Sequence, residues 1–83
     1  SPNWQDRAIG LLSLYLIHND TFITEDFRIW ATCNGLDAPK EPRAYGAVMI
    51  RAKKAGMIRS TGEYRQMKSE QSHSCPKMVW AKN

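Results

Sequence analysis

Apolar side chains recur at intervals of three and four residues as far as residue 55 and are arranged differently after Gly56. The first such stretch places five apolar residues on one side of a helical wheel: Trp4, Ala8, Leu11, Leu12 and Tyr15. This spacing predicts a helix over residues 4–18, with Asn3 as its N-cap. Further apolar residues lie beside that stripe: Ile9, Leu14, Leu16 and Ile17. The helix is therefore expected either to be central to the core or to turn its spare side toward a partner.

A short second helix is predicted after an extended segment at residues 21–23. Thr24 is interpreted as its N-cap, because two acids follow in the first turn, where anions favour a helix start. Its apolar side consists of Phe27, Trp30 and Ala31. We expect this helix to end at about Cys33, with Gly35 in the left-handed conformation of a helix terminator.

The third predicted helix covers residues 42–55. Pro42 is favoured in a first helical turn and Gly56 is a stop signal. One side is suited to a core: Ala44, Tyr45, Val48, Met49, Ala52 and Ala55. The other side is cationic, with small residues at its middle: Arg43, Gly46, Ala47, Ile50, Arg51, Lys53 and Lys54. This helix is thus expected to pack through one side and present the other to a ligand.

After Gly56 the pattern becomes strand-like. Residues 57–59 and 63–67 are predicted as strands with a bend or bulge at Thr61 and Gly62, and residues 77–80 as a final strand. Residues 69–75 contain no run of apolar side chains and are predicted as a loop. A long basic hairpin is therefore expected to follow the helices.

The formal charge of +4 is unevenly distributed. Residues 1–39 have two arginines and five acids, a charge of −3, whereas residues 40–83 have ten lysines or arginines and three acids, a charge of +7. Such a concentration of cations attracts polyanions, although a solvated face that keeps the protein soluble is the simpler interpretation.

The length of 83 residues predicts a single domain, and no apolar stretch is long enough to cross a membrane. Two cysteines favour a reducing compartment, so a cytoplasmic location is expected. The soft metal ligands are few and lack the spacing of a zinc site: His18, Cys33, His73 and Cys75. Cys33 is expected to pack beside Trp30 as a small hydrophobic residue. Neither a catalytic constellation nor a cofactor motif is recognised, so no enzyme activity, metal or cofactor is predicted.

The order of elements, together with three segments, resembles the small winged helix-turn-helix proteins of bacteriophages and prophages. The segments are ITEDFRIWA at 23–31, PRAYGAVMIRAKKAGMI at 42–58 and PKMVW at 76–80. The resemblance implies an α+β fold, with three helices followed by a C-terminal β-hairpin wing, over residues 1–83. It also implies that the third helix is the recognition helix, although the connection at 34–41 is longer than the tight turn of that motif.

From these observations double-stranded DNA is the predicted partner, in phage transcription control or in replication or recombination inside the host cytoplasm. The predicted contacts are Arg43, Gly46, Ala47, Ile50, Arg51, Lys53 and Lys54 in the third helix, and Arg59, Arg65, Lys68, His73 and Lys77 in the hairpin. If six to eight cations bound phosphates, affinity would fall on the order of a thousandfold between about 50 and 200 mM salt.

Other interpretations of the same residues remain open. Lys53 and Lys54 suit the C-terminal end of any helix, Gly46 and Ala47 suit close packing against a neighbour, and basic hairpin residues can protect a sheet edge. The main alternative function is a protein-interaction module that binds a replication or transcription protein. Binding of that partner, or homodimerisation, would use the apolar surface of the helix at 4–18.

Overall fold

The computed structural model describes residues 3–66 and 76–83, and within them the chain forms three helices and a three-stranded antiparallel sheet. In chain order these are α1 (Trp4–Tyr15), β1 (Thr21–Phe22), α2 (Thr24–Cys33), α3 (Ala44–Lys54), β2 (Ile58–Arg65) and β3 (Lys77–Lys82). The predicted α+β class is confirmed at this level. The predicted loop at 69–75 lies outside the described residues.

Helix α1 is capped as predicted but ends three residues early. The Asn3 side chain accepts a hydrogen bond from the backbone N–H of Gln5 at 2.8 Å. At the other end, the N–H of Ile17 binds the carbonyl of Leu14, and the Asn19 side chain donates to the carbonyl of Tyr15 at 2.9 Å. The prediction of a helix to residue 18 was wrong, because these contacts replace the α-helical pattern with a tighter turn.

Helix α2 begins without Thr24 as its cap. Ile23 is the N-cap, and its backbone N–H donates to the Asp26 carboxylate at 3.2 Å. The prediction of Thr24 as the cap was wrong, because Thr24 is already the first residue of α2; its hydroxyl accepts a hydrogen bond from the indole N–H of Trp80 at 3.3 Å. At the C-terminus, Gly35 has φ 93° and the N–H of Leu36 returns to the carbonyl of Ala31, as predicted for a left-handed terminator.

Helix α3 begins two residues after Pro42, since residues 42 and 43 form a turn. It ends where predicted: Gly56 has φ 79°, and the N–H of Met57 binds the carbonyl of Ala52 at 3.0 Å. Four of the six residues predicted for the apolar side of α3 are buried, Tyr45, Val48, Met49 and Ala52, whereas Ala44 is half-buried and Ala55, the C-cap residue, is exposed.

The sheet has the strand order β1–β3–β2. The two strands predicted within 57–67 form one strand, β2, with a register irregularity between Ser60 and Tyr64, and Gly62 in it has φ 78°. The Thr61 hydroxyl donates to the carbonyl of Val79 and accepts from the N–H of Glu63, which compensates for interrupted ladder bonds. Strand β3 runs two residues beyond the predicted end: Ala81 pairs with Arg59 of β2 and Thr21 of β1, and Lys82 pairs with Ile58 of β2.

The core lies between the helices and the sheet. Its largest fully buried side chains are Leu12, Phe22, Phe27, Val48, Met49 and Ile58. The Tyr15 ring lies 5.3 Å from that of Phe22 and 5.5 Å from that of Phe27, both in edge-on geometry. All three tryptophans pack against this core, as predicted, with Trp80 the most buried. This core fixes α3 against α1 and α2.

One apolar expectation, the packing of Cys33, is corrected by the structure. Cys33 is exposed rather than packed beside Trp30, because α2 turns Phe27 and Ala31 inward and Cys33 follows Ala31 by about 200° around the helix. On α1 the spare apolar residues divide: Leu16 is buried, whereas Leu14 and Ile17 are 55% and 61% exposed. None of the described helices combines the length and apolarity that a membrane span needs.

Candidate nucleic-acid interface

The exposed side of α3 and the turn before it is called here the α3 outer face, and it consists of Arg43, Gly46, Ala47, Ile50, Arg51, Lys53 and Lys54. All seven residues are exposed, as the periodicity predicted. The helix Ala44–Lys54 contains no aspartate or glutamate. The cations of the face lie at its two ends, Arg43 at one and Arg51, Lys53 and Lys54 at the other, and four buried apolar residues hold the face outward from the core.

Small residues lie at the middle of the α3 outer face. Arg43, Ala47, Ile50 and Lys54 follow one another at helical spacings of four, three and four, so they share one row along the helix. Gly46 lies beside that row, and a Cβ atom built on it would have no neighbour within 4 Å. Close packing against another helix therefore does not explain this glycine within the described part of the chain.

Arg51 lies at the α1 side of the face. Its Nη1 atom is 2.7 Å from the Asp6 carboxylate and donates to the Gln5 side-chain oxygen at 3.1 Å. These contacts tie α3 to the first turn of α1. Arg51 is thus partly neutralised, whereas Arg43, Lys53 and Lys54 form no ion pair with residues 3–66 or 76–83.

Each hairpin cation that was predicted to bind DNA, and that the structure describes, binds a group elsewhere in the chain. Arg59 donates to the carbonyl of Lys82 at 2.9 Å. Arg65 is 2.8 Å from the Asp26 carboxylate, and the Lys77 ammonium is 3.7 Å from that of Glu25. Lys68 and His73 lie outside the described residues. The periodicity of the hairpin carried no signal for these pairs, because both acids lie about 40 residues or more away in sequence.

A groove lies on each side of α3. The groove toward α2 has a volume of about 590 Å³ and includes Thr24, Arg28, Pro42 and Gly46 in its walls. The groove toward α1 has a volume of about 480 Å³ and is lined by Gln5, Ala47, Ile50, Arg51 and Lys54. Residues of the α3 outer face therefore line grooves on both sides of the helix.

Candidate metal ligands do not cluster in the described residues, where no three His, Cys, Asp or Glu side chains are arranged to hold an ion. Glu25 and Asp26, the acids of the first turn of α2, are each paired with a hairpin cation. Comparison with protein-family models, with curated proteins and with solved structures found no match to this chain. The function is therefore inferred from the geometry of the chain's own residues.

Proposed function

We propose that this chain is a non-enzymatic winged-helix module that binds double-stranded DNA with α3 in the major groove. The observation that carries the proposal is the α3 outer face, which is exposed, lacks acids, and has Gly46 and Ala47 at its middle. The major groove is about 12 Å wide and admits one helix. The order helix, strand, two helices and hairpin, with β1 joined to β3, supports the winged-helix assignment.

Four residues of the face have roles that follow from their chemistry. Arg43 has the planar fork that pairs with guanine O6 and N7 or with a phosphate. Lys53 and Lys54, in the last turn of α3, are suited to phosphates, which position a protein without reading sequence. Ile50 is 49% exposed and can contact a thymine methyl group. A place in phage transcription control, replication or recombination is part of the proposal.

Salt dependence tests the electrostatic part of this proposal. Because Arg65 and Lys77 are paired with acids, we expect three or four phosphate contacts, fewer than the sequence indicated. The slope of log K against log salt should then be about −3 to −4, so that affinity falls on the order of a hundredfold between about 50 and 200 mM. Fluorescence anisotropy with a labelled random duplex measures this slope.

Neutral variants locate the contacts that produce the slope. Lys54→Gln should reduce its magnitude by about 0.9, the value for one phosphate contact. Lys82→Gln is the matched control, since Lys82 is exposed at the end of β3 and not on α3. Affinity that is independent of salt in the wild type would contradict the proposal.

Two helical glycines provide a second test, because Gly10 and Gly46 both have open space around the missing Cβ. Alanine at either position should stabilise the fold by about 0.5–1 kcal/mol, since glycine costs that much inside a helix. Only Gly46→Ala should also weaken duplex binding, roughly tenfold, because the added methyl group keeps α3 from its closest approach. Urea denaturation and anisotropy measure the two effects. Equal duplex affinity for both variants would show that Gly46 does not approach DNA closely.

A protein-interaction function is the second candidate, and one observation favours it. Leu14 and Ile17, at the end of α1 and just after it, are more than half exposed. Large exposed apolar side chains close together in sequence are typical of protein contacts, including homodimers. Charge changes on α3 leave both residues intact, so they separate loss of DNA binding from loss of a protein contact.

A further inference from the structure

Two cations lie directly opposite each other at the end of the β2–β3 ladder that is nearer the connection between the two strands. Arg65 in β2 and Lys77 in β3 are register partners. Like charges in this position destabilise a strand pair unless other groups compensate them. The compensating groups are consecutive acids in the first turn of α2: Asp26 is 2.8 Å from Arg65, and Glu25 is 3.7 Å from Lys77. We call these four residues the hairpin clamp.

The Asp26 carboxylate joins three parts of the fold. The same oxygen, Oδ2, accepts from Arg65 and from the backbone N–H of Ile23, the residue between β1 and α2. The Tyr15 hydroxyl lies within electrostatic range of this pair: burial raises the pKa of Tyr15, the Asp26 carboxylate adds to that rise and Arg65 opposes it. The Arg65–Asp26 pair is therefore near the Tyr15 hydroxyl, while its own side chains are 49% and 39% exposed.

The Glu25 side of the clamp is the more enclosed. The Oε2 atom of Glu25 is buried and has no hydrogen-bond partner among residues 3–66 and 76–83. A buried carboxylate oxygen is costly unless a cation lies near it. The Lys77 ammonium is that cation, so its position near Glu25 offsets the cost of burying this carboxylate oxygen.

We propose that Arg65 and Lys77 are positioning residues. They hold this end of the β2–β3 ladder against α2 and thereby set the direction of the hairpin relative to α3. They do not bind phosphate. The part of this inference that concerns DNA rests on the proposed function. Arg65 and Lys77 were predicted to bind phosphates, and here they instead orient the hairpin. The alternative is that both cations release their acids when a duplex arrives.

The first test measures the hairpin without DNA. Lys77→Glu places a second carboxylate beside Glu25, so hydrogen exchange of the β2–β3 amides should accelerate about tenfold or more. The exchanged pair Glu25→Lys with Lys77→Glu restores opposite charges and should return exchange to within about threefold of the wild type. Lys77→Gln, which removes the charge without adding repulsion, serves if the glutamate variant does not fold. Unchanged exchange in these single variants would overturn the clamp.

The second test uses the same variants with a labelled duplex. Lys77→Glu should weaken binding, and the exchanged pair should restore it, because a positioning lysine acts through Glu25. Affinity that stays low in the exchanged pair would identify Lys77 as a phosphate contact and overturn the inference. Lys54→Glu is the control that Glu25→Lys should not rescue. If the wild type did not bind duplex, the proposed function would be refuted. The hydrogen-exchange rates would still show whether the hairpin clamp stabilises the hairpin.

Discussion

Reversing the charges of Arg43 and Lys54 together is expected to lower duplex affinity at least about a hundredfold while the fold remains intact. Each reversal removes a charged contact of about 1.5–3 kcal/mol, and about 1.4 kcal/mol corresponds to a tenfold change in affinity. Both side chains are exposed and form no ion pair with residues 3–66 or 76–83, so the substitutions should leave the packing of the core unchanged. Anisotropy with a random duplex at low salt measures the loss, and circular dichroism checks the fold.

A charge-matched control is needed because the double variant takes the formal net charge from +4 to 0. Lys40→Glu with Lys82→Glu makes the same change away from the α3 outer face, at two exposed lysines that form no ion pair with residues 3–66 or 76–83. It should cost much less affinity, since only the general attraction of a cationic protein for DNA is reduced. Equal losses in the two double variants would mean that net charge, and not α3, determines binding.

Phe27→Ala is expected to destabilise the protein by about 3–5 kcal/mol, the usual cost of deleting a buried aromatic ring. Phe27 is fully buried, and its ring lies 5.5 Å from that of Tyr15 and 6.1 Å from those of Trp30 and Tyr45. A chain of this length has a stability of about 4–12 kcal/mol, so the variant should lose about a quarter or more of its free energy of unfolding. Urea denaturation followed by tryptophan fluorescence measures the loss.

Two further variants make the core prediction specific. Tyr64→Ala removes an aromatic ring that is 61% exposed and should change stability by no more than about 0.5 kcal/mol. Phe27→Leu keeps most of the apolar volume and should remain folded with an intermediate loss. If Phe27→Ala cost no more than Tyr64→Ala, the ring would not be the centre of the core that joins α1, α2 and α3.

The helices could be predicted because their causes are local. Tyr45, Val48, Met49 and Ala52 recur at helical spacing, and the structure buries all four. Gly35 and Gly56 terminate helices because each supplies a positive φ that other residues adopt at a cost. The division of α3 into a packed side and an exposed cationic side followed from the same periodicity.

Errors occurred where a distant residue decides the outcome. Thr24 satisfies the local rules for an N-cap, yet its hydroxyl is occupied by Trp80, 56 residues further along the chain. The extent of β3 depended on pairing with distant residues, since Ala81 pairs with Arg59 and Thr21, and Lys82 pairs with Ile58. The observed end of α1 and the observed start of α3 differ from the predicted ones by three and two residues, a difference that the fraying of helix ends commonly produces.

By itself the sequence determined the α+β class, the three helices, the hairpin and the side of α3 that faces water, since all depend on spacing along a regular backbone. Only the tertiary structure decided which cations are neutralised. Arg51, Arg65 and Lys77 are indistinguishable in sequence from Arg43 and Lys54, but the fold brings Asp6, Asp26 and Glu25 within 4 Å of the first three. An ion pair depends on distance in space, and the distance between residues far apart in sequence is known only after the core has formed.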